Sequence, residues 1–177
     1  MHNLEHINRS VRRGRYRHSL LLGLLVLSLS SCQVDQNDYT LKKPRVQDVA
    51  GTYVPDSGTA TILRDRGHYP QQRISIRLEK NGNAYLYSIP DWWRNLGDSH
   101  KGFDTGHGTW TLKPQAHKWF PDKSQWVVEV SVQWDGDKSS DYIASIDLRG
   151  QTPPYALQMI VGDPDEMTAM IFAKRKA

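Results

Sequence analysis

The sequence predicts an all-β domain, an antiparallel up-and-down barrel of about eight strands. From Gly51 onward, apolar and polar residues alternate with the period of two that sends one side of a strand into a core and the other into water. The alternating runs are separated by turn formers such as Asn81-Gly82 and Asp135-Gly136-Asp137. No helical period lasts longer than a turn or two. So many strands in a chain of 177 residues must close into a barrel or split into a sandwich, because open edges invite pairing with other chains.

The first element in order is a targeting stretch. Arg9, Arg12, Arg13, Arg15, Arg17 and His18 precede the apolar run Leu20 to Leu29, with Glu5 as the acidic exception. Such a run is about 15 Å long as a helix, too short for a ~30 Å hydrocarbon core, so it reads as the central region of a signal peptide over residues 1–31. Leu29-Ser30-Ser31-Cys32 follows, and Cys32 is the sole cysteine.

This ending resembles the bacterial lipobox. The resemblance implies diacylation of the Cys32 sulfur, cleavage before it and acylation of the new amino group, which would fasten the chain to a membrane without spanning it. Gln33, not an aspartate, comes next, and by resemblance to enterobacterial sorting this points to the outer membrane, with the domain in the periplasm.

Charge excludes a further class. The full chain has 23 Lys+Arg against 19 Asp+Glu, but residues 1–31 hold five arginines and one glutamate, leaving 18 of each sign. Nucleic-acid binding needs a concentrated positive field, and this balance removes its main support. With Cys32 consumed, no disulfide is available, and the mature part, about 145 residues, suits one domain held by its own core. Gln33 to Val49 is polar and lacks periodicity, so residues 32–49 read as the lipidated cysteine and a flexible tether, and 50–177 as one barrel domain.

Within the body, Gly51-Thr52-Tyr53-Val54 predicts a first strand and Thr59-Ala60-Thr61-Ile62-Leu63 a weaker second one. Arg73 to Glu79 has Ile74, Ile76 and Leu78 on one face; Asn81-Gly82 suits a tight turn with positive dihedrals. The returning Ala84 to Ile89 sets Ala84, Leu86 and Ser88 against Tyr85, Tyr87 and Ile89. Pro90 to Gly106 reads as a long irregular loop in which Asp91 caps a short helical turn, and Gly108 to Lys113 as a strand ended by Pro114. Gln125 to Trp134 alternates Trp126, Val128, Val130, Val132 and Trp134 with mostly polar residues. Tyr142 to Leu148, Tyr155 to Val161 and Thr168 to Lys174 complete the series.

Gly51-Thr52-Tyr53, Gly108-Thr109-Trp110-Thr111-Leu112, and Gly162-Asp163-Pro164-Asp165 followed by Met170 to Lys174 together resemble the small lipocalin-like or calycin-like domains of bacterial lipoproteins. The resemblance implies a meandering antiparallel barrel of about eight strands. Gly51 and Gly108 would then relieve close backbone approach, and Trp110 would plug a barrel end. The chain has Tyr53 where the lipocalin pattern has tryptophan.

Candidate chemistry is sparse. His100, Asp104 and His107, with Ser99 adjacent, could orient an imidazole as a base or donate ligands to a metal, giving a hydrolase or metal site. No framing motif accompanies them, and Gly102, Gly106 and Gly108 suggest a flexible loop. Gly162 to Asp165 has too few oxygen donors for calcium. Aromatic residues say more: Tyr85, Tyr87, Trp92, Trp93 and Phe103 lie in or beside the long loop, and Trp119 in a second one. Aromatics anchor protein interfaces, but they also cap cores. The sequence thus predicts a non-enzymatic, cofactor-free envelope lipoprotein that binds or inhibits a partner protein through loops at one barrel end. The alternative is a carrier of a small hydrophobic ligand or lipid inside the barrel.

Overall fold

The computed structural model describes residues 38–67, 73–91, 102–117, 122–160 and 169–176. The signal peptide, Cys32, the tether as far as Asn37 and the Gly162 to Asp165 turn lie outside the described residues.

Eight strands form: β1 (Gly51–Pro55), β2 (Ser75–Leu78), β3 (Asn83–Pro90), β4 (Phe103–Ala116), β5 (Ser124–Trp134), β6 (Asp137–Arg149), β7 (Ala156–Ile160) and β8 (Ala169–Lys174). Each pairs antiparallel with the next, and β8 returns to β1 with Tyr53 opposite Lys174, so the barrel is closed. Of the barrel and the sandwich that alternation leaves open, this is the barrel, the architecture that the lipocalin-like resemblance implies. Val128, Val130 and Val132 of β5 are fully buried, and they join Tyr53, Ile76, Leu86, Trp110, Leu148, Leu157, Met170 and Phe172 in one apolar cluster. Each such side chain contributes about 1.5–3 kcal/mol on burial.

The β2–β3 hairpin is present, but its turn differs from the expected two-residue form. Glu79 N–H donates to Asn83 O at 2.8 Å and Gly82 N–H to Glu79 O at 3.0 Å, a three-residue connection. Gly82 alone takes a left-handed backbone, at φ +91°.

Further expectations are corrected. Thr59 to Leu63 is not a strand. After α1 (Val46–Val49), a second helix, α2, spans Ser57–Gly67. Asp56 starts it: its carboxylate accepts from Thr59 N–H at 2.7 Å, and its carbonyl from Ala60 N–H at 2.9 Å. Thr59 and Leu63, one helical turn apart, are the buried positions.

Ile89 does not share the outer side with Tyr85 and Tyr87. The β3–β4 register shifts between Leu86 and Ile89, Ser88 takes φ +50°, and Ile89 turns inward to 1 % exposure.

Gly106 and Gly108 are not loop residues but lie inside β4, opposite Trp134 and Val132. A Cβ on Gly108 would fall 1.8 Å from Ser131 O, so β4 and β5 cross more closely there than any side chain permits. β4 also runs through Pro114, which is tolerated because β3 pairs with β4 only as far as Thr109 and leaves an edge beyond it.

The last residues assigned to the tether, Asp38–Val49, are packed on the barrel. β5 and β6 pair only as far as Val127 opposite Asp147. Where they part, Thr40 enters between them: Trp126 N–H donates to Thr40 O at 2.8 Å and Thr40 N–H to Leu148 O at 3.0 Å. The inserted backbone thereby satisfies groups that the separating strands would leave unpaired. Tyr39 bridges Arg149, Asp38 pairs with the Arg149 guanidinium, and Val49 is fully buried in the core. The Tyr53 hydroxyl donates to Val49 O at 2.5 Å, tying α1 to the barrel floor.

Strand directions define two ends. The strap 38–50, the β2–β3, β4–β5 and β6–β7 connections and the end of β8 share the near end. The β1–β2 connection with α2, and the β3–β4, β5–β6 and β7–β8 connections, share the far end.

Candidate binding surface

Of the aromatic residues singled out from the sequence, the structure brings two together. Tyr85 and Tyr87 lie on the outer wall of β3, two residues apart and so on one side, with rings 6.3 Å apart and within 8° of parallel. Arg77 of the neighbouring β2 lies over Tyr85, 4.4 Å from the ring centre, and pairs with Glu79 at 3.1 Å. Tyr87 is the more exposed tyrosine, at 37 %. Phe103 does not join them; it is half-buried and packs against the core cluster. Trp92, Trp93 and Trp119 lie outside the described residues.

The base of the long loop is defined. Asp91 N–H donates to Gly102 O at 3.1 Å, and Gly102 N–H donates back to the Asp91 carboxylate at 3.1 Å. The two bonds clasp the ends of the loop together, and the helical turn that Asp91 was expected to cap lies outside the described residues.

Asp104 and His107 do not form a dyad. Three residues apart in an extended strand, they take opposite sides of β4. Asp104 is half-buried on the side of Gly106 and Trp110, whereas 61 % of the His107 side chain is exposed. His107 Nδ1 lies 3.5 Å from the Asp135 carboxylate, 59 % of whose side chain is exposed, a contact of little strength in water. His100 lies outside the described residues, and among those described no group of three His, Cys, Asp or Glu side chains is placed to hold a metal. No described helix is long and apolar enough to cross a membrane.

A feature that sequence reasoning missed is a cleft of about 640 Å³ on the outside of the barrel. Its lining comprises Thr52, Val54 and Pro55 of β1, Ala60 of α2, Arg73, Ile74 and Ser75 around the start of β2, and Arg175 after β8. These residues come from four parts of the chain, and three conditions unite them: α2 in place of a strand, closure of β8 on β1, and the outward phase of Thr52, Val54 and Ser75. Only the last was legible, as the polar phase of an alternating strand. No family model, curated protein or solved structure matches the chain.

Proposed function

We propose that the protein is a lipid-anchored, non-enzymatic binding module of the bacterial cell envelope, and that it engages a partner protein with the far end of its barrel. The observation that carries this reading is the polarity of the fold. The chain enters the barrel at Asp38 on the near end, while α2 and the Asp91–Gly102 clasp belong to the far end. Cys32 precedes Asp38 by six residues, so covalent connectivity keeps a lipid on that cysteine within about 20 Å of the near end. The far end is then the part free to meet a partner, and it carries Trp92 and Trp93, residue types that dominate interface energetics.

An eight-stranded barrel is also of a size that can enclose a small ligand. Against the carrier reading stands the filling of this one: Tyr53, Leu86, Leu157, Met170 and Phe172 are all fully buried within the core cluster.

The test is photocrosslinking in living cells with a benzophenone amino acid at position 92 or 93 on the far-end loop, and at Asn81 on the near end. We expect one discrete protein adduct from 92 and 93 and none from 81. Adducts of equal yield from all three positions, or none at the far end, would defeat the reading. Intact-mass measurement on the membrane fraction should show a chain beginning at an acylated Cys32; an uncleaved, acyl-free chain in the cytosol would remove the anchor.

A further inference from the structure

Most arginines of known placement are spoken for. Arg45 pairs with Asp48, Arg77 with Glu79 and Arg149 with Asp38. Arg73 and Arg175 are the contrast: both side chains are exposed, both line the outer cleft, and among the described residues neither guanidinium has an ion pair or hydrogen bond. Among the described residues no acid lines the cleft with them. The neighbouring Asp56 carboxylate is engaged in starting α2 through Thr59 N–H.

Between these cations the surface is apolar, made by Val54, Pro55, Ile74 and Ala60. The volume, about 640 Å³, lies within the roughly 300–1,000 Å³ usual for small-molecule sites. The register makes the cleft elongated. Tyr53 lies opposite Ile76, which sets Arg73 level with Asp56, whereas Arg175 N–H donates to Thr52 O at 2.8 Å. The two arginines therefore enter about four residues, or ~13 Å, apart along the strand direction.

We propose that this cleft binds a monomeric single-chain amphiphile, its anionic head, a carboxylate or phosphate, held by Arg175 beside Thr52 and its chain laid on Val54, Pro55, Ile74 and Ala60 toward the Arg73 end. Guanidinium groups form charge-assisted, paired hydrogen bonds to such heads. A peptide strand is a poorer fit, because β1 is hydrogen-bonded to β2 on one side and β8 on the other and offers no free edge for strand addition. Tyr53 and Ile76 face the core while Thr52, Val54 and Ser75 face the cleft, and Ile74, which lines the cleft at 7 % exposure and belongs to the core cluster, is the wall between the two.

Photoaffinity labelling of the full chain with a diazirine-bearing decanoate, mapped by peptide mass spectrometry, tests this. Label is expected in the peptides that carry Val54, Ala60 and Ile74, competed by octanoate and by octyl phosphate but not by octanol. Arg175→Gln should reduce it at least fivefold and Arg175→Lys retain most of it, while Arg73→Gln, at the opposite end, should change it less than twofold. Ala60→Trp, which fills the cleft from the exposed side of α2, should abolish it with the circular dichroism spectrum unchanged. Label on the inner-face residues Met159 and Met170, or label indifferent to Arg175→Gln, overturns the proposal. So does displacement by anionic vesicles where monomeric octanoate fails, because the cleft would then read a membrane surface. None of these results depends on whether the far end recruits a protein.

Discussion

Gly108 shows how much one missing atom can decide. A Cβ there would sit 1.8 Å from Ser131 O and 2.9 Å from its carbonyl carbon, and both are backbone atoms of β5 that cannot rotate away. Gly108→Ala should therefore force apart the pairing that holds the widest wall of the barrel and cost about 3 kcal/mol. Gly136, with nothing within 4 Å of its added Cβ, is the control, and Gly136→Ala should stay within about 0.5 kcal/mol of the parent in urea unfolding. Equal effects at the two glycines would show that β4 and β5 can separate without loss. His117 carries a second prediction at this scale. It is 2 % exposed, the Tyr39 ring stands edge-on to it at 4.6 Å, and burial, with the nearby Lys123 charge, holds its pKa below the ordinary histidine value. The unfolded chain then binds the proton more readily than the folded one. Stability from neutral His117 is full above the unfolded value of about 6.5 and is lost as pH falls through the folded value. Thermal melts between pH 8 and pH 5 should show this loss, and His117→Gln should flatten that part of the curve; an unchanged slope would remove His117 as its source.

Among elements, the strap and α2 are where sequence and structure diverge, and the reasons are physical. The residues Thr59 to Leu63 are rich in β-branched types, which favour strands when nothing else intervenes. Asp56 overrides that preference by accepting two hydrogen bonds of the first turn, and Thr59 then uses its hydroxyl to accept from Ile171 N–H at 2.7 Å, pinning the helix to β8. The strap was illegible for another reason. It has no periodicity because it is held by backbone bonds to β5 and β6 and by isolated side chains, Tyr39, Thr40 and Val49, rather than by a repeating face. The alternating strands, by contrast, were largely readable: Val128, Val130, Val132 and Trp134 of β5 are buried as alternation assigns, while Trp126 is half-buried and Gln125 and Val127 of the other phase are buried where the strap covers them. If the strap is part of the folded body, its anchor is the Tyr53 hydroxyl on Val49 O. Tyr53→Phe leaves that buried carbonyl without its donor and should cost about 1–2 kcal/mol. Hydrogen exchange should also quicken at Thr40 and Ala50, whose N–H groups are bonded to Leu148 O and Val46 O. Loss of stability without faster exchange in the strap would mean that the bond serves the core and not the strap.

For the molecule as a whole, the decisive contact joins the two extremes of the sequence. β1 and β8 are paired at Tyr53 with Lys174, Val54 with Ala173 and Pro55 with Phe172, so closure waits until nearly all of the body is in place. Alternation along a strand cannot disclose that pairing, because it reports which side faces the core and not which strand lies alongside. The same closure makes the outer cleft, since Arg175 reaches Thr52 only when β8 is docked. Removal of residues 169–177 would take away Met170 and Phe172, both fully buried, and would strip β1 of a neighbour from Tyr53 to Pro55 and β7 from Leu157 to Ile160. Two exposed edges beside an opened apolar core favour association between chains. We therefore expect the truncated chain to elute as aggregates in size-exclusion chromatography and to lose the sharp thermal transition of the parent. Refolding of the intact chain should be slow, on the order of milliseconds to seconds, because its contacts are predominantly long-range. A truncated chain that stayed monomeric and melted cooperatively would mean that seven strands form a stable sheet without closure, and that the cleft beside β1 is not a product of the barrel being shut.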